Sequence, residues 1–203
     1  MTRMVIFDLD GVLVDACEWH RRALNEALYD ECSYKISIDD HKSNFNGLPT
    51  KVKLDKLISM GLISEDKKQA IYDLKQEKTI EIIKNSAKIR EEKISLIKYL
   101  KERHIIVACF TNSIRETAEL MLESTGILKL FDKVVTNQDV LKCKPDPEGY
   151  TFLLHHFSVS ESETIIVEDS PKGIAAAEAS GCLVVKVESP DDVDIDLLRS
   201  YIK

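Results

Sequence analysis

Arg3-Met4-Val5-Ile6-Phe7 runs directly into Asp8-Leu9-Asp10-Gly11-Val12-Leu13-Val14-Asp15, and the reading of this opening decides the fold. The first five positions form a short apolar run of β-favouring side chains, the pattern of a buried strand. Such a strand delivers carboxylates at its carboxyl end. In open α/β sheets that edge is where ligands bind, so Asp8 falls at the expected active site. Gly11 lets the backbone turn sharply out of the sheet. Acids at i and i+2 of an extended segment point the same way, although a chain leaving a strand can also aim one side chain and one carbonyl at a common ion. Either way the segment reads as half of a Mg²⁺ site with a nucleophile built in.

Outward from this strand the pattern changes. Trp19, Ala23, Leu24, Ala27 and Leu28 recur at helical spacing. A loop over Ser43 to Thr50 with Gly47 and Pro49 follows, then Val52, Leu54, Leu57 and Ile58, expected on one helical face. Ser64-Glu65-Asp66-Lys67 looks like a cap for a third helix through Ile71, Leu74 and Ile80 to Ile83. Residues 16–86 therefore read as an inserted helical cap domain, with 1–15 and 87–203 forming the catalytic core. From residue 91 helices and strands alternate. Strands are expected at Ile105 to Phe110, Lys133 to Thr136, Thr164 to Val167 and Leu183 to Val187, and helices at 91–103, 115–124, 148–157 and 172–179. This alternation implies an α/β fold, a Rossmann-like parallel sheet with right-handed crossovers and helices on both faces.

Composition narrows the function. Hydrophobic residues make up 44% and charged residues 31% of 203, a globular balance, and the net charge of −7 disfavours nucleic-acid polymers as partners. A small phosphate ester held in a local basic pocket fits better. Five cysteines without a CxxC pair indicate neither zinc nor a disulfide framework. The apolar start is too short for a secretory h-region, and no apolar run reaches membrane-spanning length. A soluble cytoplasmic enzyme without membrane contact is expected, as a monomer or weak homodimer.

The expected strand ends converge chemically. Strand one ends in Asp8 and Asp10, the next in Thr111-Asn112-Ser113 and the fourth in Glu168-Asp169-Ser170, while Lys144-Pro145 follows the third. All four clusters should meet at one edge of the sheet. Hard oxygen ligands from Asp8, Asp169 and a carbonyl suit Mg²⁺. Lys144 offsets the repulsion between acids and a phosphate, and Thr111 with its neighbouring amides can seat the phosphoryl oxygens where a helix opens. Asp8 can then attack phosphorus, and Asp10 can protonate the leaving oxygen and later activate water.

The order Asp8-x-Asp10-Gly11-Val12, Thr111-Asn112-Ser113, Lys144-Pro145 and Glu168-Asp169-Ser170 resembles motifs I to IV of the haloacid dehalogenase superfamily. It is most similar to the β-phosphoglucomutase and phosphoglycolate phosphatase branch, which carries a helical cap after motif I. The resemblance implies a nucleophile at Asp8, an acid/base at Asp10, and Mg²⁺ held by Asp8, the carbonyl of Asp10 and Asp169, with Glu168 acting directly or through water. Asn112 joins the substrate seat. In the cap, Glu18-Trp19-His20 matches an acid-aromatic-histidine segment, and Gly47 to Leu54 matches the specificity loop. His20, Gly47, Lys51 and Lys78 are the expected substrate contacts there. A mutase of this branch carries an arginine where Thr50 stands and a basic residue where Ile114 stands. Both departures favour a phosphatase of small phosphomonoesters over a sugar-phosphate mutase. A non-catalytic phosphometabolite sensor is disfavoured by the complete motif set.

Overall fold

The computed structural model describes residues 1–202, the side chain of Lys42 excepted. The chain divides into two compact units: Met1–Asp15 together with the segment from Lys88 onward, and Ala16–Ala87.

The first unit is built on a five-stranded, all-parallel sheet. Its strands are β1 (Met4–Phe7), β2 (Ile106–Phe110), β3 (Lys133–Val135), β4 (Thr164–Glu168) and β5 (Leu183–Lys186), in the spatial order β3-β2-β1-β4-β5. The chain starts in the middle, builds outward to one side and crosses back to the other. This reversal beside β1 is the switch point at which open α/β sheets bind ligands. Phe7 lies level with Cys109 and Val167, so the residues after all three strands emerge at one edge.

Each strand is a near-continuous apolar run because both faces of a parallel sheet are covered. Met4 and Ile6 share a cluster with Ala108, Phe110, Tyr150, Leu153, Ala176 and Ala177. Val5, Phe7, Val107 and Cys109 point the other way and are equally buried. The helices of this unit, numbered along the whole chain, are α5 (Glu91–Lys101), α6 (Arg115–Ser124), α7 (Glu148–Phe157), α8 (Pro171–Ala179) and α9 (Ile195–Arg199). Local chemistry sets their starts. Ser170 caps α8 by accepting from the Gly173 amide at 3.1 Å, with Pro171 in the first turn, and Asp194 caps α9 by accepting from the Leu197 amide at 2.8 Å.

The second unit contains α1 (Cys17–Cys32), the single turn α2 (Ile38–Asp40), α3 (Thr50–Ser59) and α4 (Lys68–Ser86), with a π turn over His41–Phe45. Leu24, Leu28, Ile36, Phe45, Leu54, Leu57 and Ile71 form its core. The expected phase of α3 is corrected here. Val52 is 45% exposed, and the buried position beside Leu54 and Leu57 is taken by Lys53. One residue of helix turns the side chain by about 100°, so a small phase shift exchanges a valine for a lysine. Among the described residues no helix is long and apolar enough to cross a membrane.

Candidate active site

The chain after β1 is pinned before it offers its acids. Leu9, Val12 and Leu13 are fully buried, the Leu13 and Val14 amides both donate to the Leu9 carbonyl at 3.0 Å, and Gly11 takes φ +97°. A side chain at Gly11 would also overlap the Asp169 carboxylate, so two requirements select glycine.

Asp8 is buried beside Lys144, whose Nζ donates to Asp8 Oδ1 at 2.5 Å, to Glu168 Oε1 at 2.6 Å and to the Phe110 carbonyl at 2.8 Å. Burial raises the Asp8 carboxyl well above its ordinary range; Lys144 opposes that shift, while Glu168, Asp10 and Asp169 add to it. Burial by itself works against the Lys144 charge. Asp8 and Glu168 outweigh it and hold the ammonium well above its usual value. The ammonium also lies 4.7 Å from the Phe110 ring centre and 5.1 Å from that of Tyr150, which favours the charged form.

Asp10 sits in a different environment two residues on. Its Oδ2 accepts from the Thr111 hydroxyl at 3.1 Å and from the Ser113 hydroxyl at 3.0 Å. Thr111 is fully buried, and its Oγ1 also accepts from the Ser113 amide at 3.0 Å. Asn112 turns its carboxamide to the main chain of Lys144, donating to that carbonyl at 3.2 Å and accepting from that amide at 3.0 Å. The Thr-Asn-Ser run therefore orients both Asp10 and Lys144.

Glu168 is fully buried and heavily engaged. Besides Lys144, the Tyr150 hydroxyl donates to Oε1 at 2.7 Å, and the amides of Asp169 and Ser170 donate to Oε2 at 3.1 and 3.4 Å. A Cβ at Gly173 would fall on this carboxylate, which is why α8 carries glycine there. Asp169 presents a buried Oδ1 that has no hydrogen-bond partner among the described residues. Burial, with Glu168 and Asp10 as negative neighbours, pushes its carboxyl up to about 7.

These residues fit a hard divalent cation. Asp8, Glu168 and Asp169 each offer a carboxylate oxygen within 4.8 Å of the others, and the unpartnered Asp169 Oδ1 is an acceptor oxygen that a cation would satisfy. A profile of the family described as haloacid dehalogenase-like hydrolase matches residues 5–187. The chain belongs to that family. Among its relatives, validoxylamine A 7'-phosphate phosphatase of Streptomyces hygroscopicus subsp. limoneus is 28% identical, covering 96% of this chain and 89% of that one. Fructose-1-phosphate phosphatase YqaB of Escherichia coli is 29% identical with 96% of both chains covered. The fold is shared with β-phosphoglucomutase from Clostridium difficile, at a TM-score of 0.84, 21% identity, and coverage of 98% and 96%. As a haloacid dehalogenase-like hydrolase, the chain places its four motif clusters at one edge of its sheet.

The remaining expected contacts lie in the Ala16–Ala87 unit. His20, on α1, faces Lys75, with Nδ1 and Nζ 3.2 Å apart. Gly47 follows the π turn at φ +71°. Lys51 is exposed, its Nζ 5.5 Å from the Tyr72 ring centre, and Lys78 pairs with Asp30 at 2.9 Å and Glu26 at 3.8 Å. Lys53, Lys75, His41 and Tyr150 escaped the sequence reading, and Ser113 entered it only as part of the Thr111-Asn112-Ser113 run. For Lys75 a signal existed: it stands in step with Ile71, Thr79 and Ile83 on the buried face of α4, where a core helix ordinarily carries carbon.

Proposed function

We propose that the chain is a Mg²⁺-dependent phosphatase that hydrolyses a small phosphomonoester, a sugar phosphate or a phosphoglycolate-like ester, through an aspartyl-phosphate on Asp8. The observation that carries the reading is the contrast between two carboxyls two residues apart. Asp8 is paired with the Lys144 ammonium, whereas Asp10 is held by two hydroxyls. One environment suits a nucleophile and the other a group that passes protons.

In the first half-reaction an Asp8 oxygen bonds to phosphorus as the ester P–O bond breaks, and Asp10 gives its proton to the leaving oxygen. In the second, Asp10 takes a proton from water, the water oxygen bonds to phosphorus, and the bond to Asp8 breaks. Thr111 and Ser113 orient Asp10 throughout, and Lys144 offsets the negative charge beside Asp8. Asp8, Asp169 and the Asp10 carbonyl would hold Mg²⁺, with Glu168 beside them. When bound, the ion neutralises the acids and the phosphate oxygen. Relatives named as phosphatases of phosphorylated carbohydrates and of fructose 1-phosphate support the sugar-phosphate class.

The test is phosphate release from a panel of sugar, polyol and short-acid phosphomonoesters, with Mg²⁺ or with EDTA, and with or without a hexose bisphosphate. Metal-dependent release from one or a few esters is the expected result. Isomerisation without loss of phosphate would replace the reading by a mutase, and turnover of no ester would refute both.

A further inference from the structure

Helix α6 opens at Arg115 without a cap of its own. Ile114, the residue before it, offers no side-chain acceptor to the first amides of the helix. The acceptor comes instead from the turn after β3, residues 136–139. This turn is closed by the Asp139 amide, which donates to the Thr136 carbonyl at 3.1 Å. It is also stiffened from within. Asp139 Oδ2 accepts from the Thr136 amide and from the Thr136 hydroxyl, both at 2.7 Å, and Thr136 is fully buried. Three consecutive residues of the turn then each hold one group at the start of α6. The Asn137 amide donates to the Ser113 carbonyl at 3.3 Å, and Gln138 Oε1 accepts from the Arg115 amide at 2.8 Å. Asp139 accepts from Arg115 Nη2, at 2.6 Å on Oδ1 and 2.5 Å on Oδ2. Arg115 Nη1 donates to Glu119 Oε1, one turn further along α6, at 2.9 Å. The guanidinium therefore ties the turn to the helix.

What this arrangement holds in place is Ser113. Its amide donates to Thr111 Oγ1 at 3.0 Å, its carbonyl accepts from the turn, and its hydroxyl donates to Asp10 Oδ2 at 3.0 Å. We propose that Arg115 is a positioning residue for the reaction: anchored by Gln138 and Asp139, it fixes the start of α6 and so the Ser113 hydroxyl that aims Asp10 at the leaving oxygen. The assignment rests on the phosphatase reading. Arg115 acts through Ser113 rather than on the substrate, because Asp139 and Glu119 take up both of its terminal nitrogens. In that reading a proton passes from Asp10 to the ester oxygen as the P–O bond breaks. A displacement of about 1 Å at such a group costs about a hundredfold in rate. The pair itself contributes little to stability, since the Arg115 and Asp139 side chains are 40% and 30% exposed. Its effect belongs in the chemistry.

The experiment compares leaving groups on the full chain with Mg²⁺. Sugar and polyol phosphates lose an alkoxide and need the Asp10 proton, whereas p-nitrophenyl phosphate and acetyl phosphate release stable anions without one. The parameter to read is kcat/KM, which counts steps only up to departure of the leaving group and leaves the second half-reaction out. In Arg115→Met, kcat/KM for fructose 1-phosphate and the other sugar and polyol phosphates should fall about ten- to a hundredfold, and for the two activated esters by less than about threefold. Asp139→Asn should show the same selective loss, and the double variant no more than the worse of the two, because both act through one link. Gln138→Met, at an exposed position that leaves the ion pair intact, repeats the comparison at the α6 amide if circular dichroism shows either of the others unfolded. Equal losses on both kinds of ester, no loss on either, or losses that multiply in the double variant overturn the proposal while wild-type turnover keeps the phosphatase reading. A wild-type chain that releases phosphate from no sugar or polyol ester removes that reading, and the proposal falls with it.

Discussion

Lys144 and Lys53 are both buried lysines, 4% and 7% exposed, yet Lys144 pairs with carboxylates whereas Lys53 acts on a neutral imidazole. In the sheet unit Lys144 is, among the described residues, the cation paired with Asp8 and Glu168, and Asp10 and Asp169 add negative charge to Asp8. In the helical unit the Lys53, Arg21 and His20 charges lower the proton affinity of His41, and the Glu18 carboxylate opposes them. A third lysine separates burial from charge. Lys93 is fully buried, donates to the Pro190 and Val193 carbonyls, and is lowered to about 8 by burial and by Arg90. Carbonyl dipoles tie such an ammonium down without restoring its ordinary affinity for a proton. Paired carboxylates do restore it, at Lys144. The comparison teaches that a buried lysine signals function through what surrounds it: the acidic cage around Lys144 includes the carboxylates that could hold a metal ion.

The sharpest way to break this comparison is at the nucleophile. Asp8→Asn should lower turnover by more than about a thousandfold while the fold persists, because it removes a reacting oxygen but also relieves a crowded set of acids. Phosphate release and thermal melting together check this, and substantial residual turnover would remove Asp8 from its role. Next in size is Lys144→Met, which leaves Asp8 and Glu168 buried without their cation. A loss of about 3–5 kcal/mol in unfolding free energy is expected from urea titration, with activity falling alongside.

His41 provides the pH test. Its folded value of about 4 lies below its ordinary 6.5, so the unfolded chain binds the extra proton more readily. The stability contributed is complete above pH 6.5 and is lost as the pH falls through the folded value. Urea midpoints should fall across that window by the equivalent of up to about 3 kcal/mol, and His41→Phe should flatten the slope. A wild-type slope unchanged in His41→Phe would place the acid sensitivity elsewhere. The smallest effect is expected for Lys53→Met. The Lys53 charge is one of those that lower His41, so a methionine of similar length should move the His41 titration upward, with a loss of stability smaller than that of Lys144→Met. If Lys53→Met destabilised the chain as severely as Lys144→Met, the contrast between the two sites would be lost.

Most of the sheet was legible in the sequence because its signals are local. Helices α6 and α7 fall at the expected residues, and β2, β3, β4 and β5 differ by one residue at an end, since apolar runs and turn residues act over a few positions. The acidic ends of β1 and β4 were equally plain, because a carboxylate directly after a buried strand has few other places to go. The partners of those acids were not. Tyr150 reaches Glu168, and Asn112 holds the Lys144 main chain, only through packing between separate elements. In the helical unit the sequence pointed to Lys51 and Lys78, whereas the structure buries Lys53 and Lys75.

The sequence by itself thus determined the parallel α/β core, the helical insertion and the identity of the acids at the strand ends, because each is written in neighbouring residues. The tertiary structure decided which lysine lies inside and what charge surrounds it. The physical reason is that two residues of helix turn a side chain by about 200°, and burial and Coulomb forces depend on distances that spacing along the chain does not set.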